Sequence, residues 1–399
     1  MYKPAIVIVG YNRPRETLRL LESIGRAKYE YDDITLIISI DQSDLSDEVA
    51  LVAESFQWKY GNKIIRRFPQ RQGLKKHIIA CGDLTESYNA LIILEDDLVV
   101  AEDFYTFCCN AHDYYSNNDC ICGIALYSFQ RIPFTNFRFH PKQNNYDTYL
   151  GQMVVTWGES WTQKQWSRFK QWFLSHEEKL PGENLLIPDE ISGWSRSWGK
   201  YFASYIAENN LFYVYPFSSR TTCFSEIGEH NFAFQTSISQ VPLMNGVPVN
   251  GYKFAAIDNA VRYDSFYELI LPEKTKVGSI SGKDISFDLN GMKRFSRGKK
   301  YIISCQKLKL DVIDTFGLAM RPVEDNIFYN VKGQYFKLYR LNNPDFAFKK
   351  QKKKAYRYSQ SYDRLRYEHN DLTWRVLLQY LVHEITNVII THLKRFLPN

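Results

Sequence analysis

Leu91-Ile92-Ile93-Leu94-Glu95-Asp96-Asp97-Leu98-Val99-Val100 is the stretch on which the reading of this chain turns. Residues 90–94 are a continuous aliphatic run with no alternation, the pattern of a strand buried on both faces. Three carboxylates follow directly and cannot lie in a core. They belong at the C-terminal edge of that strand, where open α/β sheets gather their ligands. Three adjacent acids repel one another, so a cation among them is expected. Ligation by one or two carboxylates, completed by water and phosphate oxygens, suits Mn²⁺ or Mg²⁺. The competing reading is a solvated acidic turn, or charge at the start of the helix opened by Ala101-Glu102-Asp103-Phe104.

Upstream, residues 4–10 (PAIVIVG) read as a buried parallel strand. Pro14 suits the first position of a helix whose apolar members are Leu18, Leu21 and Ile24. Residues 34–40 form the next strand, ending at Asp41. A helix from Ser46 follows, with Val49, Val52, Ala53 and Phe56 inward. Residues 63–67 are a short strand, and Gln72-Gly73 opens a helix through His77. The order β-α-β-α-β-α-β predicts a mostly parallel, doubly wound α/β sheet. No GxGxxG or GxxxxGK[ST] stands at a strand end, which argues against dinucleotide and P-loop chemistry.

In such a sheet the loops after successive strands converge. Asn12-Arg13, Asp41 and Glu95-Asp96-Asp97 would meet there. The basic run Arg66, Arg67, Arg71, Lys75, Lys76, His77 lies between the last two. Acids holding a divalent cation beside basic groups are what a nucleoside diphosphate leaving group requires, because they neutralise charge building on the phosphate. A solvated helix face is the alternative for the basic run.

Beyond the acids, 102–115 reads as a helix and 121–127 as a strand. Residues 130–149 are an aperiodic loop, 151–156 a strand, 164–176 and 194–209 helices, and 211–217 an aromatic strand. The aromatic share is high at 16%, which sugar-stacking surfaces and large cores both use. Seven cysteines without metal-type spacing read as reduced structural thiols. Met1-Tyr2-Lys3-Pro4 leads straight into a strand, so no signal peptide is expected, and no stretch suits a transmembrane helix.

The opening IVIVGYNRP, the strand ending at Asp41, GLKKHIIACGDL, LEDDLVVAEDFYTF, VTWGESWTQKQW and YVYPFSSRTTCFSEIGEH together resemble a GT-A fold glycosyltransferase. More narrowly they are similar to the group around N-acetylglucosaminyltransferase I and its bacterial relatives, over residues 4–232. The resemblance implies that Asp97 ligates Mn²⁺ and that Glu95 and Asp96 contact the sugar and ribose. It also implies that Asp41 hydrogen-bonds the nucleobase with Arg13 against it, and that His77 touches phosphate or ribose. The family inverts at the anomeric carbon, with a carboxylate base. Relatives place an Asp beside a Trp at the start of the helix after the acceptor loop. Here Ile191-Ser192-Gly193-Trp194-Ser195-Arg196-Ser197-Trp198 carries serines instead. Asp189, Glu190 and Glu159 are the candidate bases, the first two preferred. Charge at a helix N-terminus is the alternative role for that pair. His230 is a candidate late phosphate or metal contact.

The expected domains are a glycosyltransferase domain over 1–245 (nucleotide-sugar half 1–127, acceptor half 128–245), an accessory α+β region over 246–345, and a basic tail over 346–399. The accessory region would cover the acceptor cleft or form a homo-oligomer contact. Residues 349–399 hold 11 Lys+Arg against 4 Asp+Glu, a net +7, while the other 348 residues balance to −1. A polybasic run at 349–354 precedes an amphipathic helix from Asp371 to about Phe396, which suits an anionic membrane surface. The alternative is docking on protein. No nucleic-acid module accompanies the tail.

The sequence thus predicts transfer of a sugar from a nucleotide donor, UDP-linked and GlcNAc-like, to a glycan or lipid-linked glycan acceptor in bacterial surface polysaccharide synthesis. The expected location is the cytoplasm or the inner face of the membrane. The rivals are a non-catalytic glycan-binding or membrane-assembly protein of the same fold, and a sugar-phosphate nucleotidyltransferase.

Overall fold

The computed structural model describes residues 2–177, 184–195, 197–224, 237, 239–347, 364, 366, 367 and 373–394. Two compact units are distinguished, residues 1–134 with 138–347, and 135–137 with 348–399.

The larger unit is built on a nine-stranded sheet. Its strands are β1 (Ala5–Gly10), β2 (Leu36–Ile40), β3 (Lys63–Arg67), β4 (Ala90–Glu95), β6 (Ile121–Ala125), β7 (Thr148–Gly151), β8 (Glu159–Thr162), β9 (Phe212–Pro216) and β11 (Arg262–Tyr263). Their spatial order is β11-β7-β9-β6-β8-β4-β1-β2-β3. β1 pairs in parallel with β2 through Val7 and Ile37, and with β4 through Val7 and Ile93. The chain steps outward from β1 to β3, then returns to β4 on the other side of β1. That reversal is a topological switch point, and the crevice it opens lies at the C-terminal ends of β1 and β4. The mostly parallel α/β sheet read from the sequence is therefore the one observed.

Helix α1 (Pro14–Arg26) begins with the proline at its first turn and buries Leu20, Leu21 and Ile24. Leu18, expected inward, is exposed; Leu20 takes the place. Each such side chain contributes about 1.5–3 kcal/mol by leaving water. α2 (Ser46–Ser55), α3 (Leu74–Gly82), α4 (Thr85–Tyr88) and α5 (Phe104–Tyr115) complete the first half. Two segments depart from the reading. The strand expected over 151–156 is instead β7, which ends at Gly151. Glu159-Ser160-Trp161-Thr162, given no element in the sequence reading, is β8, inserted antiparallel between β4 and β6. A strand of four residues carries too short a pattern for alternation to show.

On one face, α6 (Gln163–His176) starts at a capping box between Thr162 and Gln165. It packs with α8 (Trp198–Glu208) over Trp161, and Trp161, Trp166 and Trp198 are fully buried. Much of the aromatic content is thus core. Between them lies the short α7 (Asp189–Ser192). A two-stranded antiparallel ribbon pairs β5 (Leu98–Val100), directly after the acids, with β10 (Thr221–Cys223). Asp103 and Arg220, both buried, form an ion pair of 3.0 Å that ties β10 to the start of α5.

Beyond residue 245, β11 still belongs to the main sheet. After the β12 (Lys276–Val277) and β13 (Ile280–Ser281) pair comes a four-stranded sheet of β14 (Ile285–Asp288), β15 (Tyr301–Ser304), β16 (Val312–Phe316) and β17 (Phe336–Arg340), ordered β14-β15-β17-β16. α9 (Asp325–Phe328) and a loop lead into β17, which pairs with β16. In the smaller unit a 21-residue helix runs Trp374–Lys394. Among the described residues no helix is long and apolar enough to cross a membrane.

Candidate active site

The switch point gathers the loops after four strands. After β4, Asp96 and Asp97 turn back toward the loop after β1. Asp97 Oδ2 accepts from Arg13 Nη1 at 3.0 Å, and Asp96 Oδ1 lies 3.8 Å from the same nitrogen. The Tyr11 amide donates to Asp96 Oδ2 at 3.3 Å. After β2, Ser43 Oγ donates to the Tyr11 carbonyl at 2.8 Å. After β3, the Arg71 guanidinium lies 4.9 Å from the centre of the Tyr11 ring. Tyr11 is therefore the point where the loops meet, a role its place in Gly-Tyr-Asn-Arg did not signal. The Asp97 carbonyl accepts from the Phe224 amide at 3.3 Å, so the β5–β10 ribbon fixes the acids from the other side.

The electrostatics follow from crowding. Burial, then the Asp97 charge, pushes Asp96 up to about 7. Burial and the two neighbouring aspartates raise Glu95 well above the carboxylate range. Burial opposes the Arg13 charge, yet Asp96 and Asp97 outweigh it and hold the guanidinium above its ordinary value. One cation is thus shared among three acids. Asp97 Oδ1 is buried without a hydrogen-bond partner.

That orphaned oxygen is the test for a divalent ion. Among the described residues, no group of three or more His, Cys, Asp or Glu side chains forms a metal cage. A site in which the protein supplies a single carboxylate, with the remaining positions filled by phosphate oxygens and water, needs no such cage. Asp97 fits this arrangement.

The other candidates stand elsewhere. Asp41 is buried, and its carboxylate is engaged by backbone: Gln42 N at 2.9 Å and Gln72 N at 2.7 Å on Oδ1, Gly73 N at 2.8 Å on Oδ2. It anchors the turn into α3, where Gly73 adopts φ +74°. Asn12 is half-buried at the crevice. His77 is interior, its Nε2 2.8 Å from Ser39 Oγ and its ring edge-on to Phe68. Burial lowers it to about 4, so it offers no charge to a phosphate. The basic run is largely committed to protein. Arg66 donates to the Ala80 carbonyl, Arg67 pairs with Asp47, and Lys75 lies 3.6 Å from Glu177. Arg71 is the member that reaches the loop cluster.

Glu159 is a correction as well. It sits on β8 opposite Ile93 and Ala125 and is 1% exposed, so it cannot meet an acceptor. Burial, then Glu95, raises it well above the carboxylate range. Asp189 is half-buried and held by Arg294 at 2.7 Å. Glu190 is half-buried beside it at the start of α7. His230 lies outside the described residues.

Residues 5–180 match the model of glycosyl transferase family 2. This segment, which holds Tyr11, Arg13, Asp41, Asp96 and Asp97, is similar to that family, and the mixed, mostly parallel sheet is GT-A-like. Among solved structures, the chain is similar to S. aureus TarS 1–349 in complex with UDP-GlcNAc, at 13% identity over 58% of this chain and 61% of that one, with a TM-score of 0.39. It is similar to TarS 1–349 alone at 12% identity over 53% and 60%, TM-score 0.35. A mannosyltransferase from Pyrobaculum calidifontis, in complex with GDP-Man and Mn²⁺, matches at 11% identity over 42% and 47%, TM-score 0.30. The chain therefore spans about three-fifths of the length of the TarS 1–349 structures. No curated protein matches it.

Proposed function

We propose that the chain is a metal-dependent glycosyltransferase that moves a sugar from a nucleotide-sugar donor to a carbohydrate acceptor. The observation that carries the reading is the orphaned Asp97 Oδ1 beside Arg13, at the switch point of a segment that matches the family 2 model. Asp97 would hold Mn²⁺ or Mg²⁺, which when bound supplies positive charge against the donor's diphosphate. Arg13 shares that task from the loop after β1. Glu95 and Asp96 face sugar and ribose, and raised acids of this kind can donate hydrogen bonds to hydroxyl oxygens. Asp41, with Asn12, sets the base-binding rim by fixing the turn at 72–73. A UDP-linked, GlcNAc-like donor and inversion rest on the sequence resemblance to the N-acetylglucosaminyltransferase I group.

In an inverting transfer the acceptor oxygen bonds to the anomeric carbon as the bond to the diphosphate oxygen breaks, and a carboxylate takes the acceptor proton. Asp189 and Glu190, side by side at the start of α7, are the candidate bases, and Arg294 pairs with Asp189 at 2.7 Å. The non-catalytic reading draws on the same ion pair, since it engages one of the two candidates. Calorimetry with UDP, with and without Mn²⁺, tests the proposal. Metal-enhanced UDP binding is the expected result, and binding indifferent to metal would count against it. A thermal-shift panel of nucleotide sugars then identifies the donor, because a bound ligand stabilises the fold.

A further inference from the structure

The tail holds the chain's surplus of positive charge. Its helix, Trp374–Lys394, places Trp374, Leu377, Leu378, Leu381, Val382 and Ile385 at spacings of three and four. Those positions fall on one stripe of an α-helix. All six side chains are exposed, from 38% at Leu377 to 68% at Trp374. Gln379, His383 and Thr386 fall on the opposite side. A stripe of large apolar side chains left in water forgoes the stabilisation that burial gives, so something of matching character is needed to cover it.

The charge identifies the occupant. Residues 349–399 carry +7, whereas the remaining 348 residues sum to −1. Five lysines stand within 349–354, and Lys394 and Arg395 follow the stripe in the sequence. A second copy of this tail would bring +7 against +7, and the rest of the chain offers no compensating excess of acid. An anionic lipid surface satisfies both halves at once. Its acyl boundary accepts the apolar stripe, and its headgroups attract the lysines. The helix lacks the apolar length to span, so it would lie in the interface.

We propose that residues 349–395 bind the chain to anionic membrane surfaces, with the Trp374–Ile385 stripe inserted and the flanking basic residues on the headgroups. This does not rest on the catalytic reading, because it is tested by binding alone. Full-length chain is floated with phosphatidylcholine–phosphatidylglycerol vesicles and with pure phosphatidylcholine vesicles, at low and high salt. Binding to the anionic vesicles that weakens with salt is expected. Leu378→Glu with Leu381→Glu should weaken it at least about tenfold. Replacing the five lysines of 349–354 by glutamine should abolish the preference for anionic lipid. Four results would overturn the proposal: no vesicle binding, binding unchanged by the leucine variant, equal binding to both vesicle types, or a wild-type dimer that the leucine variant converts to monomer without altering vesicle binding. Because the leucines are exposed, the variant should keep the wild-type melting temperature, which is measured alongside.

Discussion

Asp97 meets a cation through one oxygen and nothing through the other. Its Oδ2 lies 3.0 Å from Arg13 Nη1, while its buried Oδ1 has no hydrogen-bond partner. Arg13 is thus the counter-charge for acids that would otherwise repel. Replacing it by methionine should lower the thermal stability of the metal-free protein by about 1–3 kcal/mol. The figure is kept below that of a fully buried pair because both side chains retain some exposure. Mn²⁺ should restore part of the loss, since it supplies the missing charge. Thermal melts with EDTA and with Mn²⁺ test this; a variant as stable as wild type in EDTA would show that Arg13 does not balance the acids.

Asp41 is expected to act through the backbone. Its two oxygens accept from three amides, two of them at the turn into α3. Asp41→Asn presents an amide group to at least one of these donors, a loss of about 1–3 kcal/mol. Urea unfolding would measure it, and nucleotide affinity should fall with it. A variant of unchanged stability that loses UDP binding would instead make Asp41 a direct base contact and no more.

Glu190 and Asp189 should separate in transfer assays. Glu190→Gln is expected to lower transfer by about 10²–10⁴-fold while leaving UDP affinity intact. Asp189→Asn removes the ion pair with Arg294 and should act mainly on stability. The reverse pattern would assign the base to Asp189.

Stability should depend on pH through Glu324. It is buried, accepts from Tyr263 Oη at 2.5 Å, and burial pushes it up to about 7. For a carboxyl raised on folding, the native state binds more protons than the unfolded one. The stabilisation is therefore full below the unfolded value of 4.5 and lost as pH rises through 7. Glu324→Gln should flatten this decline, by up to roughly 3 kcal/mol. His77 works in the opposite sense, because its lowered value makes stability fall as pH drops from 6.5 toward 4. Melting temperatures from pH 4 to 8 on both proteins separate the two contributions; an unflattened profile for Glu324→Gln would contradict the assignment.

The sheet was legible because its strands announce themselves. Residues 5–10 and 90–94 are unbroken aliphatic runs, and only a sheet covered on both faces buries such runs. The acids at the end of β4 were legible for the converse reason, since three carboxylates cannot be core. β8 was hidden because the four residues Glu159 to Thr162 are too few to show a period. With β8 unseen, Glu159 stood as a candidate base. His77 and the arginines and lysines beside it were misjudged for another reason. Sequence proximity to a strand end says nothing of which way a helix turns, and α3 turns His77 inward. Arg13's pairing with Asp97 depends on β1 and β4 being neighbours, which no local pattern reveals.

The central claim is that Asp97 holds a divalent cation on which sugar transfer depends. Release of UDP from a UDP-sugar in Mn²⁺, compared between the wild-type chain and Asp97→Ala, tests it most directly. The account predicts metal-dependent release by the wild type and a fall of about 10²-fold or more in the variant. Release by Asp97→Ala at the wild-type rate in Mn²⁺ would contradict it.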